Sequence, residues 1–307
     1  MKKIQNIIIS ALLLMIAFNS DAQQSSNDLT FRNVDELQQF LSYSKKRFPL
    51  ISAHRGGPEK GFPENAIETF EHSYQFQPLI IECDISLSKD SVMILMHDNS
   101  LNRTSTGAGR IIDFTYEELK KLHLKDNGGD STGFRISTLE EALLWGRGKV
   151  IFTLDVKRGV PYRKVIEMVR KCKAEASSVI ITYNADQAAE VFQLAPDLLI
   201  SASVRGKEDL ERFNGKGIPD KKIIAFIGVT EAQPETYELL HSRGISCILG
   251  TMGNLDRQAT ARGDHQYAEY ISRGADILST DRPKEAGEAL KKYRADNKLA
   301  LPGGKKK

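Results

Sequence analysis

Glu82 and Asp84 are the first residues from which chemistry can be argued. They follow the apolar run Leu79-Ile80-Ile81 with one residue between them. In a strand both side chains then leave one face, while Cys83 points to the other, towards any covering helices. Two carboxylates this close repel, and one is driven neutral unless positive charge is supplied. A divalent cation supplies it with the fewest parts; separate Arg or Lys partners are the alternative. Asp155 offers a third carboxylate in another apolar run. Three hard oxygen ligands suit Mg²⁺ or Ca²⁺ rather than zinc. Lys157 lies two residues on, on the same face as Asp155. The two could form a plain salt bridge, but beside a metal the lysine reads as a phosphate contact, and Arg55 can add bidentate donors to phosphate oxygens. His54 and His97 each end an apolar run. A lone histidine there is more often structural; two beside paired carboxylates fit both halves of an acid–base reaction. His72, His123, His241 and His265 fall in helical or loop contexts and read as surface or capping residues.

These groups need elements to hold them at one level. Short β-rich runs recur at Leu50–Ala53, Leu79–Ile85, Val92–Met96, Val150–Val156, Val179–Tyr183, Leu198–Val204, Ile223–Val229, Ile245–Leu249 and Asp276–Ser279. Helical spacing separates most of them: Ile67, Phe70 and Tyr74 in one interval, and Val165, Met168, Val169 and Cys172 in another. Thr115 with Glu118 and Thr138 with Glu141 are capping boxes, in which hydroxyl and carboxylate satisfy the first helical amides. Strands alternating with helices predict a parallel sheet, and the continuously apolar strands predict cover on both faces. The polar clusters all stand at the downstream ends of runs, where α/β barrels build their active sites. A distorted (β/α)₈ barrel is therefore expected. There is one run too many, and the connection from Asp84 to His97 is too short for a crossover helix, so a hairpin-like excursion is expected there.

A barrel of about 250 residues fits within the 307 present. A net charge of +3, with three lysines at the extreme C-terminus, is no nucleic-acid signature. Lys2 and Lys3, the apolar run Ile7 to Phe18, and the small residues Ser20 and Ala22 read as an export signal over residues 1–22, which places the mature protein in the periplasm or outside the cell with no stable membrane span. Residues 23–29 read as a disordered leader, 31–297 as one domain and 298–307 as a flexible tail. Cys83, Cys172 and Cys247 have no CxxC spacing and read as small buried hydrophobes. Residues 99–137 form a long excursion that reads either as a partial lid over the barrel mouth or as a surface insertion.

Taken in order, His54-Arg55-Gly56, Pro63-Glu64-Asn65, Glu82-x-Asp84, His97-Asp98 with Leu101-x-Arg103-Thr104, Leu139-Glu140-Glu141, Leu154-Asp155-Val156-Lys157, and Gly274-Ala275-Asp276 to Thr280-Asp281-Arg282-Pro283 resemble the signature of the glycerophosphodiester phosphodiesterases. The resemblance spans residues 50 to 290. It implies a barrel of the phospholipase-C-like phosphodiesterase type and cleavage of a small-molecule glycerophosphodiester to glycerol 3-phosphate and an alcohol. It implies His54 and His97 as general acid and base, Glu82, Asp84 and Asp155 as ligands of a divalent cation, and Arg55 and Lys157 on the phosphate.

Three positions depart from the family pattern. Asp155 stands where Glu is usual, Ala66 where Thr often follows Pro-Glu-Asn, and Gly250 where a Trp often precedes Thr251. Loss of that ring is expected to widen the pocket and broaden head-group use. Two other functions fit the same site. A lysophospholipid or sphingolipid head-group phosphodiesterase would be marked by an apolar rim. A phosphate-ligand binding protein without turnover would be marked by loss of a histidine or of the acidic pair, and all are present. The oligomeric state is not legible from sequence.

Overall fold

The computed structural model describes residues 27–301, so the export-signal reading and the last six residues of the expected tail lie outside the described residues. Eight parallel strands close a barrel. They are β1 (Leu50–Ala53), β2 (Leu79–Leu87), β6 (Ile151–Val156), β7 (Ser178–Thr182), β8 (Leu199–Ser203), β9 (Ile223–Phe226), β10 (Cys247–Gly250) and β11 (Ile277–Thr280). They follow that order round the ring, and β11 pairs back to β1. The supernumerary run is β3 (Met93–Leu95), which lies antiparallel on the far end of β2. The Lys89-Asp90-Ser91 turn brings the chain straight back, leaving no room for a crossover.

Strand alternation then stacks the interior in layers. At the bottom each strand contributes one aliphatic side chain: Leu50, Ile80, Ile151, Val179, Leu199, Ile224, Ile248 and Ile277 form one buried cluster. Helix α1 (Val34–Leu41) closes this end, with Leu37 and Leu41 in the same cluster. Two residues further along the strands come Ser52, Glu82, Thr153, Ser201 and Ser279, and two further still come His54, Asp84 and Asp155. The intervening residues, Ile51, Cys83, Leu154 and Ile200 among them, belong to the larger cluster between barrel and helices. Cys83 thus faces the helices, as expected, and all three cysteines are buried free thiols. The barrel is a dead-end cup, greasy below and polar above.

The flanks are more ordered than the sequence suggests. Leu29 is buried and its amide donates to the Lys149 carbonyl, so the described end of the supposed leader is pinned to the barrel. At the other end Leu301 packs against the lower cluster beyond the last helix, Pro283–Asp296. Segment 99–137 carries its own small core around Leu101, Ile111, Leu119 and Leu124, a two-stranded sheet of β4 (His123–Lys125) and β5 (Ser131–Arg135), and the capping box at Thr115. No helix among the described residues is long and apolar enough to cross a membrane.

Candidate active site

The upper end of the barrel opens into a pocket of about 240 Å³ whose walls include His54, Glu82, Asp155, Tyr183 and Arg205. One carboxylate oxygen each from Glu82, Asp84 and Asp155 lies within 4.8 Å of the others. All three side chains are buried. The backbone that positions them is strained. Arg55 (φ 51°) and Asn65 (φ 59°) both lie in the left-handed region. In return the Arg55 amide donates to Glu82 Oε2 at 2.8 Å, and the Asn65 side chain donates to Asp84 Oδ2 at 2.7 Å and accepts from the Asp84 amide at 2.9 Å. Gly56 follows at φ 88°, and a Cβ there would fall 2.3 Å from the Phe70 ring. Strain held in this way at the mouth of a pocket is a mark of function.

Charge here is out of balance. Lys157 Nζ bridges Asp84 Oδ1 at 2.7 Å and Asp155 Oδ2 at 2.6 Å. Burial opposes its charge, but both carboxylates outweigh that and hold the ammonium above its usual pKa. Burial likewise opposes the Asp84 charge, and Lys157 overcomes it, so Asp84 is held below its usual value. Glu82 has no such partner. Burial, aided by the Asp84 charge, pushes it up to about 8. Asp155 Oδ1 is buried with no hydrogen-bond partner among the described residues. An orphaned oxygen and a displaced carboxyl pKa in an all-oxygen set fit a hard divalent cation.

Each candidate histidine is held by a carboxylate. His54 Nδ1 lies 2.7 Å from Asp281 Oδ1, and His97 Nδ1 lies 2.7 Å from Asp98 Oδ1. A carboxylate on Nδ1 fixes the tautomer and leaves Nε2 for proton transfer. Burial disfavours the His54 cation, but the bond to Asp281 and the Glu82 charge more than offset it, and the pKa is raised. Arg103 clamps Asp98 at 2.7 Å and Glu64 at 2.7 Å, and Glu64 in turn holds Arg55 at 3.1 Å. Arg103 pulls the Asp98 carboxyl far below its ordinary range. All seven expected residues thus stand at one end of the barrel, though Arg55 and Lys157 are both engaged by carboxylates.

Several partners carried no assigned role in the sequence reading. Asp98, Arg103, Glu64, Asn65 and Asp281 stood inside the motifs, but only folding shows whom they hold. Tyr183, which donates to Asp155 Oδ2 at 2.8 Å, and Arg205 lie just past strands whose ends carry no obvious polar cluster. Their signal was position alone. Segment 99–137 reaches the site through Arg103, and none of its residues lines the pocket. His241 is not a surface residue: it is largely buried, stacks on Tyr43 and contacts Asp276. Gly250 faces the mouth but does not leave it wider. A Cβ there would meet Met252 Sδ at 2.8 Å, Val229 at 3.0 Å and Phe226 at 3.1 Å, so the space is already filled.

Residues 54–209 match the model of the glycerophosphoryl diester phosphodiesterase family. A glycerophosphodiester phosphodiesterase of Caldanaerobacter subterraneus is 33% identical over 158 residues, which span 49% of this chain and 65%, just under two thirds, of that protein. Among solved structures, a glycerophosphoryl diester phosphodiesterase of Parabacteroides distasonis is 38% identical, with a TM-score of 0.82 over 91% of this chain and 96% of the other. A phosphodiesterase of Oleispira antarctica, solved in complex with the product sn-glycerol-3-phosphate, shares the fold at 20% identity, with a TM-score of 0.64 over 80% of this chain and 97% of that one.

Proposed function

This chain belongs to the glycerophosphoryl diester phosphodiesterase family, and from that premise we propose that it hydrolyses glycerophosphodiesters to glycerol 3-phosphate and an alcohol. One observation carries the reading: two carboxylate-held histidines share the open end of the barrel with three carboxylates that lack sufficient counter-charge. The small-molecule product bound by the Oleispira relative accords with it. Glu82, Asp84 and Asp155 would hold a divalent cation, Mg²⁺ or Ca²⁺, which supplies Lewis-acid charge for the non-bridging phosphate oxygens. Tyr183 steadies the shorter Asp155 by donating to its Oδ2. Lys157 and Arg55 contribute the remaining positive charge to the phosphate as charge develops in attack. One histidine takes the proton of the attacking hydroxyl, either that of water, which gives glycerol 3-phosphate directly, or that of the neighbouring glycerol hydroxyl, which gives a cyclic phosphate that water then opens to glycerol 3-phosphate. The other protonates the departing alkoxide. The carboxylates on Nδ1 hold both rings in register through that exchange. From the export-signal reading of residues 1–22 we further propose that the protein acts outside the cytoplasm, in the periplasm or as a secreted protein.

Chelation tests the cation. Protein dialysed against EDTA is expected to lose cleavage of glycerophosphocholine, to regain it with Mg²⁺ or Ca²⁺, and to melt higher when the ion returns, because binding to the folded state alone stabilises it. Full-rate cleavage by chelated protein would refute the metal assignment. One observation favours a second reading, cleavage of lysophospholipid head groups: Tyr183 (56% exposed) and Val229 (49% exposed) put apolar surface at the rim. A higher kcat/KM for lysophosphatidylcholine than for glycerophosphocholine would establish it.

A further inference from the structure

The wall facing His54 carries a cation that the catalytic assignment does not use. Going round the ring, β8 is the fourth strand from β1 in either direction, so its upper end lies diametrically across the mouth from His54. Arg205 stands two residues past the end of β8 and lines the pocket; among the described residues it is the pocket's only Lys or Arg. Its backbone amide is held by Asp209 Oδ2 at 2.8 Å, which anchors the main chain at the start of the helix Lys207–Gly215. Its guanidinium makes no ion pair and no hydrogen bond among the described residues, and the residue is exposed. Arg103 and Arg282, by contrast, are both committed to carboxylates.

The pocket is also graded from floor to rim. Ser52, Thr153, Ser201 and Ser279 line its lower part, all buried, and none of their side chains has a hydrogen-bond partner among the described residues. Uncharged hydroxyls of this kind complement the uncharged hydroxyls of a glycerol moiety. With glycerol directed down and the phosphate beside the carboxylates, the alcohol half has to leave towards the rim, where Arg205 stands.

We propose that Arg205 is a specificity-determining residue that binds a second negative charge, a carboxylate or phosphate monoester carried by the alcohol half of the diester. This rests on the phosphodiesterase reading above. A planar guanidinium with five free donors recognises either group bidentately, and it repels the cationic part of a choline or ethanolamine head.

Two substrate pairs isolate the charge. Glycerophosphoserine differs from glycerophosphoethanolamine by one carboxylate, and glycerophosphoinositol 4-phosphate from glycerophosphoinositol by one phosphate monoester. The wild-type enzyme is expected to favour the charged member of at least one pair in kcat/KM, and the responding pair identifies the ligand's chemistry. Arg205→Ala should erase that preference through KM by roughly 10- to 100-fold, as removal of a charge-assisted contact does. Its kcat on glycerophosphoethanolamine and its melting temperature should stay unchanged, and Arg205→Lys should retain part of the preference. Equal loss on both members of a pair, or a preference that survives Arg205→Ala, overturns the proposal. If no diester is cleaved, the phosphodiesterase reading fails on its own. Equilibrium binding of O-phosphoserine against O-phosphoethanolamine then reads Arg205 without turnover. Equal binding of the two by the wild-type protein, or a preference kept by Arg205→Ala, overturns the assignment there.

Discussion

At the lower rim of the barrel, where β10 and β11 begin, Asp276 contacts the Arg47 guanidinium, and its Oδ2 accepts from the Cys247 amide at 2.7 Å and lies 2.9 Å from His241 Nε2. At the upper rim, where β1, β2 and β6 end, His54 and the three acids stand over the pocket. The two groups use similar side chains, and in both the possible ligand atoms lie within 4.8 Å of one another. What separates them is charge balance and cover. The lower carboxylate already has a largely buried guanidinium, so a metal ion there would meet a like charge. The Tyr43 ring lies flat on His241 at 3.6 Å and excludes solvent. The upper group has more carboxylates than cations and an open pocket. A cluster of titratable residues becomes a site when its charge is left incomplete and a ligand can reach it; completed and covered, the same residues brace the fold.

The largest effect that would break this comparison is catalytic. His54→Ala and His97→Ala are each expected to lower kcat on glycerophosphocholine by roughly 10²- to 10⁴-fold with melting temperature nearly unchanged. The double variant should fall well short of the product of the two losses, since one proton cycle needs both rings. His241→Ala should do the reverse, lowering the melting temperature while sparing kcat. Comparable loss of kcat from His241→Ala would mean that the two ends are not functionally distinct.

Much of the upper site could be read from the chain because its geometry is local. Strand alternation fixes that Glu82 and Asp84 share a face and that Cys83 does not, and the apolar runs locate the strand ends. Contacts between distant segments were not legible. His54 meets Asp281 from 227 residues away, and nothing in the spacing around either residue announces it. The left-handed backbone of Arg55 is set by the hydrogen bonds it makes and not by residue type, whereas Asn65 is of a type that enters this region readily but does so at many positions without a site. His241 misled for a related reason. It lies on the helix Pro234–Ser242, and the burial that decides its role comes from Tyr43 and Asp276, both remote in sequence. The four barrel hydroxyls were invisible because serine and threonine in an apolar run look like tolerated polarity until all four prove to share a layer.

A smaller effect separates the two imidazoles by pH. Burial, with the nearby Arg47 charge, holds His241 down at about 4 against an ordinary value of 6.5, despite Asp276, whose carboxylate is shared with Arg47 and the Cys247 amide. Below 6.5 the unfolded chain therefore binds a proton that the folded chain refuses. The stability held by neutral His241 is complete above 6.5 and is lost as pH falls towards 4, with a full range on the order of 3 kcal/mol. Urea midpoints of wild type and His241→Gln, measured at pH 7, 5.5 and 4.5, should converge or cross as the pH drops, because the variant lacks this proton. A constant gap would show that His241 titrates normally and that the lower cluster is open to solvent after all.

The smallest expected effect lies on β10, the strand that joins the two ends, with Cys247 at the bottom and Gly250 at the top. A methyl group at Gly250 would press on Met252, Val229 and Phe226, the residues that occupy the space of an absent larger side chain. Met252 is unbranched and Val229 is exposed, so both can give way, and Gly250→Ala should cost only about 1 kcal/mol of stability, the low end of overpacking. The displaced side chains would move into the mouth, so KM for a bulky ester such as glycerophosphoinositol should rise more than KM for glycerophosphoethanolamine. Cys247→Ala, at the closed end, should lower the melting temperature and leave the ratio of the two KM values unchanged. If Gly250→Ala also left that ratio unchanged while lowering the melting temperature, the upper end of β10 would be packing like the lower one, and the pocket wall would have to be drawn without it.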